Sequence, residues 1–185
     1  MKKVLIITYY WPRSGSSAVQ RVVKFAKYLP EFGWQPIVLT VKVGNYNAID
    51  HTFENELPEI IKVYRTDIFE PHKFYKRFTG FGMQDRLLVD AMAEENVSLK
   101  KKISFWLRFN VFIPDARIGW LPYAVKKGKE IVEKENIDVI FSTSPPPTVH
   151  LVAKKLARWS GLKWVADFRD PWTNIHYLKN SPRLW

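Results

Sequence analysis

The sequence has no cysteine and only 18 acidic residues against 29 basic ones among 185. Without cysteine there is no disulfide framework, no thiolate nucleophile and no cysteine-ligated metal, a composition that suits a reducing compartment and makes the cytoplasm the expected location. Long apolar runs are missing as well. The best candidate, residues 103–114, is broken by Arg108 and Asn110, so no segment approaches the ~20 residues that span a bilayer. The opening Met1-Lys-Lys and the apolar residues after it turn polar at Thr8-Tyr-Tyr10 with no small-residue cleavage site, so they read as a first strand and not as a signal peptide.

Several motifs are also absent. Neither G-x-G-x-x-G nor G-x-x-x-x-G-K-[ST] occurs, which leaves a dinucleotide fingerprint and a P-loop unsupported. No serine sits in a nucleophile elbow. His51, His72, His150 and His176 show no metal-ligand spacing and no H-E-x-x-H, so they are expected on the surface or on helix flanks, with no metal bound. There is no internal repeat, low-complexity tract or flexible linker. The net charge of +11 has two readings: solvated helix faces at groups such as Lys126-Lys127 and Lys154-Lys155, or attraction to an anionic partner, either phospholipid or nucleotide diphosphate. A nucleic-acid reading rests on charge alone, lacks a recognised motif and ranks last.

What is present is an alternation of strands and amphipathic helices. Residues 4–8 form an apolar strand followed by a polar turn, Pro12-Arg-Ser-Gly-Ser-Ser17. Val19, Val22, Val23, Ala26 and Leu29 then make a helical stripe, with Arg21, Lys24, Lys27, Tyr28 and Glu31 outside it and Gly33 past its end. Strands follow at 35–41 and 61–65. Residues 69–114 lose the pattern, with aromatic and basic clusters at Phe74-Tyr-Lys-Arg-Phe78 and Phe105-Trp-Leu-Arg-Phe109, and read as a helical insertion. A second stripe runs through Leu121, Ala124, Val125, Gly128, Ile131 and Val132 into the strand Asp138-Val-Ile-Phe-Ser142. A third, Val149, Val152, Ala153, Leu156 and Ala157, leads to the strand Lys163-Trp-Val-Ala166.

Five strands interleaved with helices predict an α/β fold, a Rossmann-like doubly wound parallel sheet of order 3-2-1-4-5. In that order the loops after the first, fourth and fifth strands converge at the carboxyl ends of the sheet, where open parallel sheets bind ligands. The first loop offers Gly15, Ser16 and Ser17 at a helix N-terminus, either as an ordinary cap or as a seat for an anionic oxygen. The fourth strand ends in Ser142-Thr-Ser-Pro-Pro-Pro147, where Ser144 reads as a cap or a substrate-facing hydroxyl. The fifth ends in Asp167-Phe-Arg-Asp-Pro-Trp172. Two carboxylates and a guanidinium there form either an internal clamp, Asp167 or Asp170 on Arg169, or a site in which a carboxylate meets a sugar hydroxyl or accepts a proton. Continued strand geometry would put Asp167 and Arg169 on one face and Phe168 and Asp170 on the other.

Taken together, Val4-Leu-Ile-Ile-Thr-Tyr-Tyr-Trp-Pro12, the helix at 21–29 with Gly33-Trp34, Pro114-Asp-Ala-Arg-Ile-Gly-Trp120, Ser142-Thr-Ser-Pro-Pro146 and Asp167-Phe-Arg-Asp-Pro-Trp172 resemble the N-terminal domain of GT-B glycosyltransferases of the family-4-like group. The resemblance covers nearly the whole chain. It implies a two-domain enzyme that moves a sugar from a nucleotide-diphosphate donor to a saccharide or lipid-linked acceptor hydroxyl. Transfer would usually proceed with retention and without an essential metal, in polysaccharide or glycolipid assembly. Residues 1–185 would be the acceptor-side half, with an insertion at about 69–114; nothing corresponds to the donor-binding C-terminal domain or its E-x7-E motif. Asp167, Arg169 and Asp170 become catalytic candidates, and Gly15, Ser16, Ser17, Ser144 and Trp172 substrate-binding ones. Two departures stand out: Gly15 lies alone between serines where relatives often carry two glycines, and the acid and arginine cluster stands where many carry a histidine. The alternative is a non-catalytic module in which the aromatic and basic clusters dock on an anionic membrane, peripheral at its inner face.

Overall fold

The computed structural model describes residues 1–14, 17–42, 49–50, 57–69, 106 and 110–170. The strands are β1 (Lys2–Ile7), β2 (Arg13–Ser14), β3 (Trp34–Val41), β4 (Ile49–Asp50), β5 (Lys62–Thr66), β6 (Val139–Thr143) and β7 (Lys163–Asp167); the helices are α1 (Ser17–Tyr28), α2 (Leu121–Glu135) and α3 (Thr148–Ser160). Five of the strands pair in parallel in the order β5-β3-β1-β6-β7. Counted along the chain, that is the expected 3-2-1-4-5. The fold is a Rossmann-like doubly wound α/β sheet.

The two faces follow from strand alternation. Leu5, Ile7, Ile37, Leu39 and Ile140 point to one side, where they join Ala124 and Ile131 of α2 and Val149, Val152, Ala153 and Leu156 of α3 in the larger core cluster. Val4, Ile6 and Val38 point to the other, against Val22 and Ala26 of α1. Every one of these side chains is within 5% of complete burial. The helical stripes therefore mark the buried faces correctly, with one adjustment: α1 stops at Tyr28, and Leu29 belongs to a 3-10 turn, Leu29–Phe32, that contains Pro30. Gly33 closes this turn at φ 76°, a left-handed conformation that favours glycine.

The polar turn expected at 12–17 is partly extended. Arg13 and Ser14 pair antiparallel with Asp50 and Ile49, a two-residue contact too short to leave a period in the sequence. Most of the insertion expected at 69–114, with the clusters at 74–78 and 105–109, lies outside the described residues.

One ionic cluster belongs to the amino end of the sheet. The buried Glu135 carboxylate, at the end of α2, takes hydrogen bonds from Lys62 Nζ at 2.8 Å and Tyr64 Oη at 2.6 Å, while Lys3 Nζ reaches its backbone oxygen at 2.6 Å. These donors hold the Glu135 carboxyl below its ordinary range, and the bond to Glu135 pushes the Tyr64 phenol up to about 12. The cluster ties β1 and β5 to α2 at the end opposite the loops that follow β1, β6 and β7.

Candidate active site at the carboxyl ends of β1, β6 and β7

Thr143 and Asp167 lie side by side at the last register position of β6 and β7. That register lets Thr143 Oγ1 donate to Asp167 Oδ2 at 2.8 Å. The other carboxylate oxygen takes a 2.7 Å charge-assisted bond from Arg21 Nη2, which reaches over from the second turn of α1. The Asp167 side chain is 16% exposed and that of Arg21 47%, so a mostly shielded carboxylate is fixed by a half-exposed guanidinium. This clamp on Asp167 is longer-range than the internal one expected with Arg169. Arg21 does not stand out in the sequence, because its position outside the stripe of α1 is that of any solvated helix charge. The usable signal was its place near the start of a helix that opens at the ligand end of the sheet.

The chain leaves the strand after Asp167, so the alternation expected through Asp170 ends one residue into the motif. Phe168 turns onto His150 with ring centroids 4.3 Å apart and planes tilted by 30°. Arg169 is half-buried, and its amide donates to Ser144 Oγ at 3.4 Å. Ser144 also donates from its own amide to the Asp167 carbonyl at 3.2 Å. Ser144 thus joins the loop after β6 to the loop after β7, and its hydroxyl is buried between them. Asp170 is exposed.

His150 corrects the surface or helix-flank expectation, being only 2% exposed. It follows Val149 on α3 and faces β6 and β7. Its Nδ1 lies 2.9 Å from Ser142 Oγ, which also accepts a 2.8 Å bond from the Trp164 indole. The indole can only donate, and Ser142 is fully buried, so a Ser142 hydroxyl donating to Nδ1 serves the Ser142 hydroxyl, the Trp164 indole and Nδ1 together and puts the imidazole proton on Nε2. Burial lowers the His150 pKa to about 4, opposed in part by the Asp167 charge. At neutral pH the imidazole is uncharged.

A third strut comes from the chain before α2. Asp115 Oδ2 accepts the backbone N–H and the hydroxyl of Thr148 at 2.7 and 2.8 Å, and Oδ1 accepts the Arg117 N–H at 2.7 Å. A carboxylate from 33 residues away therefore caps the first turn of α3. Burial pushes the Asp115 carboxyl up, while the bonds from Thr148 and Arg117 pull it down. The Arg117 guanidinium lies 5.3 Å from the Tyr9 ring centre, and Tyr9 packs edge-on to Trp120 at 5.9 Å. Trp120 in turn donates its indole N–H to Thr66 Oγ1 at 2.7 Å. The strut thereby links the ends of β1 and β5 to α3.

Of the residues expected to form the site, Asp167 and Ser144 come together and Arg169 and Asp170 follow in the same loop. Ser17 begins α1, as expected of the first helix. Gly15, Ser16, Trp172 and the Ser17 side chain lie outside the described residues. Among the described residues no group of three His, Cys, Asp or Glu side chains could hold a metal ion, and no helix is long and apolar enough to cross a membrane.

No protein-family model and no curated protein matches the chain. Among solved structures it is similar to apo UGT2 of Phytolacca americana (15% identity, TM-score 0.48, covering 90% of this chain and 29% of that one). It is also similar to a glycosyltransferase from Rickettsia africae (18% identity, TM-score 0.43, covering 96% and 35%). A third similarity is to the C-terminal domain of the PF1911 hydrogenase from Pyrococcus furiosus (14% identity, TM-score 0.43, covering 90% and 91%). The chain spans about a third of the length of the two glycosyltransferase-type structures.

Proposed function

We propose that this chain is the N-terminal, acceptor-side domain of a glycosyltransferase that moves a sugar from a nucleotide-diphosphate sugar to an acceptor hydroxyl in polysaccharide or glycolipid assembly. The single observation that carries the reading is the fixed Asp167 carboxylate, held by Arg21 and Thr143 at the ligand end of the sheet with Asp170 three residues on. Sugar transfer needs an acceptor hydroxyl aimed at an anomeric carbon and a place for its proton. A carboxylate oxygen can accept more than one hydrogen bond, so Asp167 retains capacity to orient a hydroxyl while Arg21 and Thr143 keep it still. Asp170, exposed to solvent, is the second carboxylate and the candidate proton acceptor. Arg169 would supply positive charge toward the departing diphosphate, and Gly15, Ser16, Ser17, Ser144 and Trp172 are the substrate-binding candidates that the resemblance in the sequence implies.

The fold resemblance in the sequence motifs supports the same reading, with a donor-binding second domain completing the enzyme, no essential metal, and action in the cytoplasm at the inner face of the membrane. The test is sugar transfer by a polypeptide extended through the following coding sequence, assayed against a panel of nucleotide sugars. Transfer is expected, and an Asp167→Ala, Asp170→Ala double variant that keeps its fold is expected to lower kcat by about a hundredfold or more. Full activity in that variant would remove both carboxylates from the mechanism.

A further inference from the structure

The outward side of α1 carries a feature that reaches beyond the site at the strand ends. Arg21, Lys24, Phe25, Tyr28, Leu29 and Phe32 line an open groove of about 330 Å³. A second hollow of about 220 Å³ shares Phe25 and Leu29 with it and continues over the same face of the sheet to Val165. The rings stand out of the surface: Phe32 is 76% exposed, Tyr28 44% and Phe25 39%. Apolar rings this accessible on one helix face mark a binding surface. The twelve residues of α1 include no acidic side chain, and Arg21, Lys24 and Lys27 give it a wholly positive charge.

Two further observations limit what fits. Arg21 belongs to both places: its guanidinium holds Asp167 at the strand ends and also lies 5.5 Å from the Phe25 ring centre at the head of the groove. From Arg21 to Phe32 the helix and the following 3-10 turn rise about 15–20 Å. The complementary ligand has an anionic head near the strand ends and a single apolar tail running away from them.

We propose that this groove binds the lipid phosphate of the acceptor. Its phosphate sits at Arg21 and Lys24, its hydrocarbon chain lies along Phe25, Tyr28, Leu29 and Phe32, and the sugar it carries extends toward Asp167 and Asp170. The charge fits a phosphate, which Arg recognises through its fork of N–H donors and Lys as a point charge. The exposed rings fit a hydrocarbon chain, whose methylenes leave water as they pack on them. The word acceptor rests on the glycosyltransferase reading; the binding of the amphiphile does not.

The test is equilibrium binding of monomeric dodecyl phosphate, with dodecanol and inorganic phosphate as separate probes and vesicles containing phosphatidylglycerol as a fourth arm. Dodecyl phosphate should bind at least tenfold more tightly than either half alone. Arg21→Gln with Lys24→Gln should weaken it tenfold or more. Tyr28→Ser with Phe32→Ser, which removes exposed rings and leaves the strand ends untouched, should do likewise. Lys154→Gln with Lys155→Gln, exposed on α3, should leave it unchanged. Equal weakening by the α3 pair, equal affinity for dodecanol, or sedimentation with vesicles without binding of the monomer would each overturn the proposal, the last in favour of a bilayer surface. The two readings fail separately. Sugar transfer to a soluble saccharide with no dodecyl phosphate bound sinks the groove alone, whereas bound dodecyl phosphate with no transfer to any acceptor sinks the enzyme reading alone.

Discussion

Arg21 Nη2 and Asp167 Oδ1 lie 2.7 Å apart across 146 positions of sequence. The sheet order makes this contact possible: β1, whose following helix carries Arg21, is paired with β6, and β6 with β7, so the far end of the chain returns beside the first helix. The pair ties the α1 layer to the strand that bears the acidic motif. It also leaves Asp167 shielded and oriented, which a carboxylate that positions a hydroxyl requires.

Because Arg21 is half-exposed, the strength of the pair will be modest and salt-sensitive. A double-mutant cycle with Arg21→Gln and Asp167→Asn is expected to give a coupling of about 0.5–1.5 kcal/mol at low salt in chemical denaturation. It should shrink in 1 M salt, where the screening length is about 3 Å. A coupling indistinguishable from zero at low salt means that the clamp does not hold Asp167 in solution.

His150 sets a pH dependence with a definite sign. Its pKa falls from 6.5 to about 4 on folding, so the folded state binds its proton less readily than the unfolded state. The associated stability is fully present above about pH 6.5 and is lost as the pH falls toward 4. Roughly 1–3 kcal/mol should disappear over that interval. His150→Gln, which does not titrate, should flatten this part of the profile relative to the parent protein. An unchanged slope between pH 6.5 and 4 would show that the imidazole is not buried as described.

The sequence discloses the fold better than it discloses the site's supports. Each main strand was legible within about two residues, because buried parallel strands are apolar runs between turn signals. The buried stripes of α1, α2 and α3 were legible from their 3.6-residue period. The ligand end followed from the strand order. The partners of Asp167 were not: Thr143 is fixed by register and Arg21 by the placement of a helix above a distant strand, and neither leaves a local signal. His150 looked like a helix-flank residue because one polar position beside an apolar stripe has the same pattern whether it meets water or a buried serine. Asp115 was visible only as part of a motif; its burial depends on where the chain returns from the insertion.

Two glycines should separate a backbone constraint from a side-chain one. A Cβ on Gly119 would overlap the Phe69 carbonyl oxygen, whereas one on Gly128 would meet the flexible methyl groups of Leu156 where α2 packs on α3. Gly128→Ala can be absorbed by a rotamer change at Leu156 for about 1–3 kcal/mol. Gly119→Ala must move the chain at Phe69, whose amide donates to the Gly119 carbonyl at 3.4 Å. It should cost more and lower Tm further. Similar or reversed losses in thermal melts would show that the Phe69 segment yields easily.

Asp115 offers the sharpest separation between a charge and a shape. Its carboxylate accepts three hydrogen bonds, two on Oδ2 from Thr148 and one on Oδ1 from the Arg117 amide. In Asp115→Asn the amide oxygen can still take both Thr148 bonds, but the NH₂ group then faces the Arg117 N–H, donor against donor. That substitution should cost about 1–2 kcal/mol and free the 115–120 strut while sparing the start of α3. Asp115→Ala removes every acceptor and leaves the Thr148 amide and hydroxyl buried without one, at about 2–4 kcal/mol. Hydrogen exchange distinguishes the two outcomes. The Thr148 amide should lose protection strongly in the alanine variant and little in the asparagine one, while the Arg117 amide loses it in both. Retained protection at Thr148 in the alanine variant would show that α3 does not depend on this cap, leaving the strut joined to the sheet ends through Tyr9 and Thr66.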